Sequence, residues 1–363
     1  MSSTNSKSMD IMAVNLAAYE LPEYKEVSSR KWVEYGVNNN YYQYLIDLVN
    51  SSSIHSAIVK GTTDLIFGEG FAPIKELDQE DLRRIAFDFY ALGNVALNVI
   101  WDAKGEKVYK IKHLPVQSVR PSKMNERGEV GSYWVCADWE NTKKNKPVNY
   151  TAFNPQLAKG EDGARSQVAF IKPYKSGFDY FAPVDYQGSI AYIELDKEIG
   201  SFHLNNLKSG LMPSMVFKFR NGIPDDETQR AMERKIQKKF GGSNASTFML
   251  TFSDGTEDAM ELDVLPMTDA DKQYQFLSEE VTRKVLSGHR VTSPLLFGIR
   301  GGDGFGSNAD EIKQSFLLYE ESVIAPKQAF LEEKINSILA FADKDIKIIQ
   351  SKPKAWFDGQ DTE

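Results

Sequence analysis

A single cysteine, Cys136, and four histidines are all that this chain of 363 residues offers for thiol or imidazole chemistry. One cysteine closes no intrachain disulfide and builds no metal framework, which fits assembly in a reducing cytoplasm. His55, His113, His203 and His289 fall at no HExxH or other metal-ligand spacing. Each is therefore expected to be structural, and no metal site is predicted. No apolar run approaches the roughly 20 residues that cross a bilayer, so no membrane association is expected. The N-terminal stretch lacks a charged region followed by an apolar core, and no signal peptide is expected. A GxSxG nucleophile elbow is also missing, and spacing singles out no pair of carboxylates. No catalytic residue and no cofactor are predicted. Positive charge is in deficit: the net charge of −8 argues against a surface that coats a polyphosphate. It leaves room for one that lets nucleic acid slide past.

What the chain does have is length enough for two or three domains and a substantial core. Its organising stretch is 292–340. A short apolar run, Pro294 to Phe297, leads into Gly301-Gly302-Asp303-Gly304-Phe305-Gly306, and a long helical pattern follows. Asn308 and Glu311 stand at capping-box spacing. Apolar residues then recur at Ile312, Phe316, Tyr319, Val323, Phe330, Ile335 and Ile338. Pro326 interrupts this stripe. It has no N–H, and its ring would crowd the carbonyl of Ser322, so one long helix kinked there is predicted. If continuous, about 33 residues at 1.5 Å each make a rod of roughly 50 Å. The glycine loop has no GxxxxGK[ST] pattern and follows no clear strand, which speaks against a phosphate cradle.

Residues 1–40 are polar with scattered apolar members and read as an arm, disordered or ordered by a neighbour. Three short helices are predicted next. The first carries Tyr41, Leu45 and Leu48. The second is capped by Ser53 and carries Ala57, Ile58, Leu65 and Ile66 towards Gly68. The third opens at Asp78, carries Leu82, Ile85, Phe89 and Leu92, and stops at Gly93. The texture then turns to strands, at 95–101, 108–114 and 130–138. Residues 138–167, with Lys143, Lys144 and Lys146, read as a solvated surface hairpin or loop, and 168–171 as a strand. A helix is predicted over 191–212. A compact α/β unit follows over 213–266. Its strands lie at 215–219, 247–252 and 260–265, and its helix opens on Asp225, Asp226 and Glu227. A further helix starts at Thr268 and stops at Gly288. After Ala340 the alternation Ile346-Lys347-Ile348-Ile349 suggests a strand. The whole reads as an α+β protein.

Motifs in this order resemble bacteriophage portal proteins, the head-to-tail connector subunits, from about Tyr41 to Leu339. They are Tyr44-x-x-x-Leu48 with Ser56-Ala57-Ile58, Gly68-x-Gly70-Phe71, and Tyr90-Ala91-Leu92-Gly93-Asn94-Val95-Ala96-Leu97. His113-Leu114-Pro115 precedes Val119-Arg120-Pro121, and Phe217-x-Phe219-x-Asn221-Gly222-x-Pro224 precedes Gly242-Ser243-Asn244-Ala245. The last group is Val291-Thr292-Ser293-Pro294-Leu295-Leu296-x-Gly298, Ser307-Asn308-Ala309 and Ile324-Ala325-Pro326. No single motif is decisive; their order and spacing carry the resemblance.

The resemblance implies a portal-like fold with an N-terminal arm (1–40), an α+β wing (41–190) and a first stem helix (191–212). It continues with an α/β clip (213–266), a second stem helix (267–291), a tunnel loop (292–307) and a Pro-kinked wing helix (308–340). Residues 341–363 would form a C-terminal segment with the helical crown of many relatives reduced or absent. It implies a closed ring, usually twelve-fold in the virion, at one capsid vertex, assembled in the host cytoplasm. Double-stranded DNA would pass through without sequence-specific contact. The implied partners are the terminase large subunit, later head-completion or adaptor proteins, and major capsid or scaffold protein. The channel candidates are Arg300, Gly301, Gly302, Asp303, Gly304, Phe305, Gly306 and Ser307 of the loop and Lys208 of the first stem helix. Asp225, Asp226 and Glu227 are candidates for motor docking, although helix N-terminal charge explains them equally. Pro326 is the kink. Two other readings stay open: a nucleotide-binding enzyme using loop 301–306, and another phage head structural or adaptor protein.

Overall fold

The structure is a computed structural model. It describes residues 22–208, 270–299 and 309–351, with short pieces between: 215–219, 225, 227, 228, 230, 231, 248–252 and 260–264.

A six-stranded sheet forms the centre, in the order β4-β3-β8-β7-β6-β5. Its strands are β3 (Val95–Trp101), β4 (Val108–Leu114), β5 (Val119–Pro121), β6 (Ser132–Val135), β7 (Val148–Ala152) and β8 (Ser166–Ile171). All pairs are antiparallel except β7 with β8. β3 is an inner strand, and five of its seven residues are buried. Helix α3 (Gln79–Leu92) packs on it, and α1 (Tyr41–Ser51) and α2 (Ser53–Phe67) pack on α3 and on each other. The expected periodicity holds. Leu45 and Leu48, Ile58 and Ile66, and Leu82, Ile85 and Phe89 are all buried. The α2 cap is Ser52 rather than Ser53: its Oγ accepts from the His55 N–H at 3.2 Å.

The α3-to-β3 link shows why its motif has that sequence. Gly93 sits at φ 75°, and a Cβ there would lie 2.9 Å from the Ala182 carbonyl. Glycine tolerates both demands. Asn94, fully buried, donates Nδ2 to the carbonyls of Leu92 (3.1 Å) and Ala182 (2.8 Å) and accepts from the Ala182 N–H at 2.8 Å. Charged and polar side chains pin α3 to β4. The Lys110 ammonium reaches Asp78 at 2.8 Å, Lys112 bridges Asp78 and Asp81, and His113 Nε2 meets Asp88 at 2.7 Å. Those lysines hold the Asp78 carboxyl down at about 2.

The expectation of an arm over residues 1–40 fails over its described half. Residues 22–40 are folded on the sheet domain. β1 (Tyr24–Glu26) and β2 (Val33–Tyr35) pair antiparallel. Val33 and Tyr35 are fully buried, and the Tyr35 ring stacks on Phe181 at 4.1 Å. Few apolar residues suffice here because those few are large and inward-facing. Residues 138–167 also differ from a plain loop, since β7 and a 3₁₀ turn (Pro155–Ala158) lie within them. No residue of β7 is fully buried, and its sequence lacks the apolar signal of a strand.

Helix α4 (Ile190–Lys208) packs on α5 (Ala270–Gly288), with Ile190, Ile193, Val281 and Val285 buried. Between them in sequence lies a three-stranded sheet, order β10-β9-β11, of β9 (Met215–Phe219), β10 (Phe248–Phe252) and β11 (Met260–Val264). β9 and β10 are parallel and therefore need a crossover. Glu227, Thr228, Arg230 and Ala231 within that crossover are helical.

The long C-terminal helix is interrupted differently from a simple proline kink. It comprises α6 (Ala309–Tyr319), a π-helical turn (Glu320–Ile324) and α7 (Ala325–Leu339), with Pro326 in the first turn of α7. Beyond it, no strand forms at 346–349. The alternation is real, with Ile346 and Ile348 buried, but the segment runs along side chains and a turn. Asn336 bonds both backbone groups of Ile346, and Ile349 exchanges bonds with Glu69 N–H (2.8 Å) and the Gly70 carbonyl (2.7 Å).

Candidate functional site

The loop candidates Arg300, Gly301, Gly302, Asp303, Gly304, Phe305, Gly306 and Ser307 lie outside the described residues. Both roots of that loop, 289–299 and 309–319, are described, and they are fastened on several sides.

The first root begins where α5 ends. The Val291 N–H bonds the Leu286 carbonyl and the Arg290 N–H bonds the Ser287 carbonyl, both at 3.0 Å. This is the Schellman pattern of a helix C-terminus. Its left-handed position is usually glycine; here it is Arg290, at φ 58°. Farther on, the Thr292 hydroxyl donates to the Ser315 carbonyl of α6 at 2.7 Å. Pro294–Phe297 forms a 3₁₀ turn closed by Gly298 at φ 70°. That turn drives the Phe297 ring onto Gly61 of α2, where a Cβ would sit 2.6 Å from the ring. Phe297 also meets Tyr319 edge-on at 5.7 Å, and the Tyr319 hydroxyl bonds Thr62 at 2.9 Å. A cavity of about 420 Å³ opens beside this contact, lined by Gly61, Asp64, Arg83, Phe297, Phe316 and Ser351 among others.

Just before the root lies a buried polar chain. The Tyr90 hydroxyl is 2.7 Å from His289 Nδ1, and His289 Nε2 is 2.9 Å from His55 Nδ1. Neutral imidazole offers one donor and one acceptor. Two proton arrangements therefore fit, one the reverse of the other. In both, the outer nitrogen of His55, Nε2, is buried with no hydrogen-bond partner among the described residues. Tyr186 covers the pair, stacked on His289 at 4.6 Å and edge-on to His55 at 4.7 Å. Burial holds the His55 ring down at about 3. Burial, and next the neighbouring His55, hold His289 well below its ordinary value. Both rings are neutral at pH 7. They join α2, α3 and the end of α5 at one point.

The second root, α6, turns Phe316 and Tyr319 inward. Its continuation α7 caps another helix: buried Gln328 donates Nε2 to the Leu65 and Ile66 carbonyls at the end of α2, at 3.1 and 3.2 Å. Lys327 pairs with Asp185.

The other candidates are scattered. Lys208 is the last residue of α4. Asp225 and Glu227 are exposed, Asp226 lies outside the described residues, and Asp225 Oδ1 accepts from the Thr228 N–H at 2.7 Å. That backbone bond, first of its causes, lowers the Asp225 carboxyl. It is a helix-capping carboxylate. Pro326 is exposed. Sequence reasoning missed the His55–His289 pair and the role of Arg290. Nothing in a linear pattern signals either, because the partners are separated by hundreds of residues or by an unforeseen turn. Among the described residues no cluster of three or more potential metal ligands occurs, and no helix is long and apolar enough to cross a membrane.

No protein-family model matches the chain, and no curated protein matches its sequence. Solved structures do match. One is a chain in the virion of a native gene transfer agent (GTA) particle, 12% identical over 84% of this chain and 82% of that one, with a TM-score of 0.54. Another is a chain in the neck of the native GTA particle, computed with C12 symmetry, 12% identical over 84% and 83%, at a TM-score of 0.51. A third is an HK97-family phage portal protein from Corynebacterium diphtheriae, 11% identical over 87% of this chain and 97% of that one, at 0.50. At such identity the likeness is one of fold. The mixed α/β architecture is portal-like, as the sequence motifs imply.

Proposed function

We propose that this chain is a portal subunit of a phage or phage-like particle. The observation that carries the reading is extent: the shared fold spans nearly the whole of the Corynebacterium portal protein and most of this chain. Copies close into a ring, twelve in the particle, by a heterologous contact repeated through rotation. Residues 41–190, with the folded part of the preceding segment, form the wing. Residues 191–212 and 267–291 form the stem, 213–266 the clip and 308–340 the kinked helix. The ring sits at one capsid vertex after assembly in the host cytoplasm. Double-stranded DNA enters and leaves through it.

The loop 300–307 faces the channel. Its glycines let the backbone follow a moving surface. Arg300 makes brief phosphate contact, while Asp303 and the acidic net charge prevent tight binding. Contact with phosphates positions without reading bases, so it does not arrest transport. Lys208 faces the same channel. Asp225, Asp226 and Glu227 lie on the clip surface that meets the terminase motor during packaging and adaptor proteins afterwards. The motor hydrolyses ATP; this chain supplies the conduit and no catalytic group.

Native mass spectrometry with negative-stain imaging tests the ring. About a dozen copies around an open hole is the expected result, and a compact dimer carrying a nucleotide-sized extra mass would overturn it. Replacing 301–306 with a short rigid turn tests the loop. Rings should still form while packaged DNA falls, and an unchanged amount of packaged DNA would remove the loop from the channel.

A further inference from the structure

Arg290 occupies a backbone position that disfavours it. It is the left-handed residue of the α5 C-terminus, at φ 58°, where glycine is the usual choice. Its side chain is committed elsewhere: Nη2 donates to the Ser322 carbonyl at 3.0 Å. Ser322 is the middle residue of the π turn, and Pro326, four residues on, has no N–H to give it. The Ser322 hydroxyl donates to the Leu318 carbonyl at 2.6 Å, and its own carbonyl accepts from Arg290. On either side of Arg290 the backbone is held. His289 is locked inward against His55 and Tyr90, and Thr292 is tied to Ser315.

We propose that Arg290 is a strap between the end of α5 and the π turn. It replaces the helix hydrogen bond that Pro326 removes, and so couples the α5 C-terminus to the long helix. The unfavourable backbone position is retained because a glycine there has no guanidinium to reach Ser322. A shift of α5 along its axis is then passed to the π turn and to α6, which carry the far root of the loop. The strap is a property of the single chain. Its test reads stability and amide exchange, and is decided separately from the portal reading.

The experiment is a double-mutant cycle on the full-length protein at fixed concentration. In the native background Arg290→Gly loses the strap and should lower Tm by about 2 °C or more. Pro326→Ala restores an N–H to Ser322. In that background Arg290→Gly should leave Tm unchanged or raise it, because relief of the left-handed arginine is all that remains. Equal shifts in both backgrounds would overturn the coupling. Should Arg290→Gly fail to fold, Arg290→Lys takes its place under the same criterion. Hydrogen exchange supplies a local readout. Arg290→Gly should speed exchange across residues 320–325 about tenfold, while the α3 core stays unchanged. Unaltered exchange at 320–325 would show that Arg290 holds nothing there.

Discussion

Acidification from pH 7 to pH 5 should destabilise this protein chiefly through one buried pair. His55 is fully buried, with Nδ1 bonded to His289 and Nε2 without a partner among the described residues. Burial holds its folded pKa at about 3, whereas an unfolded histidine titrates near 6.5. Below pH 6.5 the unfolded chain therefore binds a proton that the folded chain refuses, and stability falls as pH falls. At 1.36 kcal/mol per unit, the 1.5 units between 6.5 and 5 cost roughly 2 kcal/mol from His55 alone. His289 is depressed in the same direction and adds to the loss. Asp78, held at about 2 by Lys110 and Lys112, acts in another window. Its contribution is complete above the unfolded value of about 3.9 and is lost only as pH falls towards 2. The assay is guanidinium unfolding followed by tryptophan fluorescence at pH 7, 6 and 5, for wild type and His55→Leu. The variant loses ring contacts with Tyr186, so its stability is lower at every pH. The slope is the readout: between pH 6.5 and 5 it should be shallower in the variant by about one proton. Parallel profiles would mean that His55 charges as easily folded as unfolded, and that the buried pair is not the acid-sensitive point.

Three substitutions probe packing. Phe316→Ala should cost about 3–4 kcal/mol, because the ring is 7% exposed beside the α2 cavity. Phe330→Ala, half-buried and stacked on Phe89 at 5.5 Å, should cost less, about 1–2 kcal/mol, in the same denaturation experiment. Gly61→Ala would place a methyl 2.6 Å from the Phe297 ring. It should cost about 1–3 kcal/mol and raise amide exchange over 294–299, a pattern absent if the ring can swing aside freely. Arg120→Met removes a guanidinium that is 2% exposed and bonded to the carbonyls of Gln117, Val119 and Asn39. Leaving those acceptors unpaired should lower stability by about 3 kcal/mol or more, whereas a neutral outcome would mean that water reaches them.

The sequence is most readable where local chemistry decides structure. The α3 stripe Leu82, Ile85 and Phe89 needs only helical periodicity, and the β3–β4 hairpin announces itself by two apolar runs around Asp102-Ala103-Lys104-Gly105. It is least readable where a distant partner decides. Tyr35 looks like a stray aromatic in a polar arm until Phe181, nearly 150 positions away, stacks on it. The alternation at 346–349 correctly gives the buried isoleucines and wrongly implies a strand, because Asn336 and the 69–70 turn supply the backbone partners. Pro326 gives the site of an irregularity but not its form. A π turn is one of several ways to absorb a missing N–H, and the Ser322 carbonyl within it is met by Arg290, which is 36 residues before Pro326.

The same distinction separates the candidate loop from its anchorage. Four glycines within 301–306 supply backbone freedom directly, and sequence suffices to see it. Freedom becomes useful for positioning only when the ends are fixed. Here one end is held by His289, Arg290, Thr292 and Phe297, and the other by Phe316 and Tyr319. The anchors draw on α2, α3 and the long helix at once, so substitutions there should register first in folding stability. On the proposed channel role, substitutions among the glycines should register first in DNA passage.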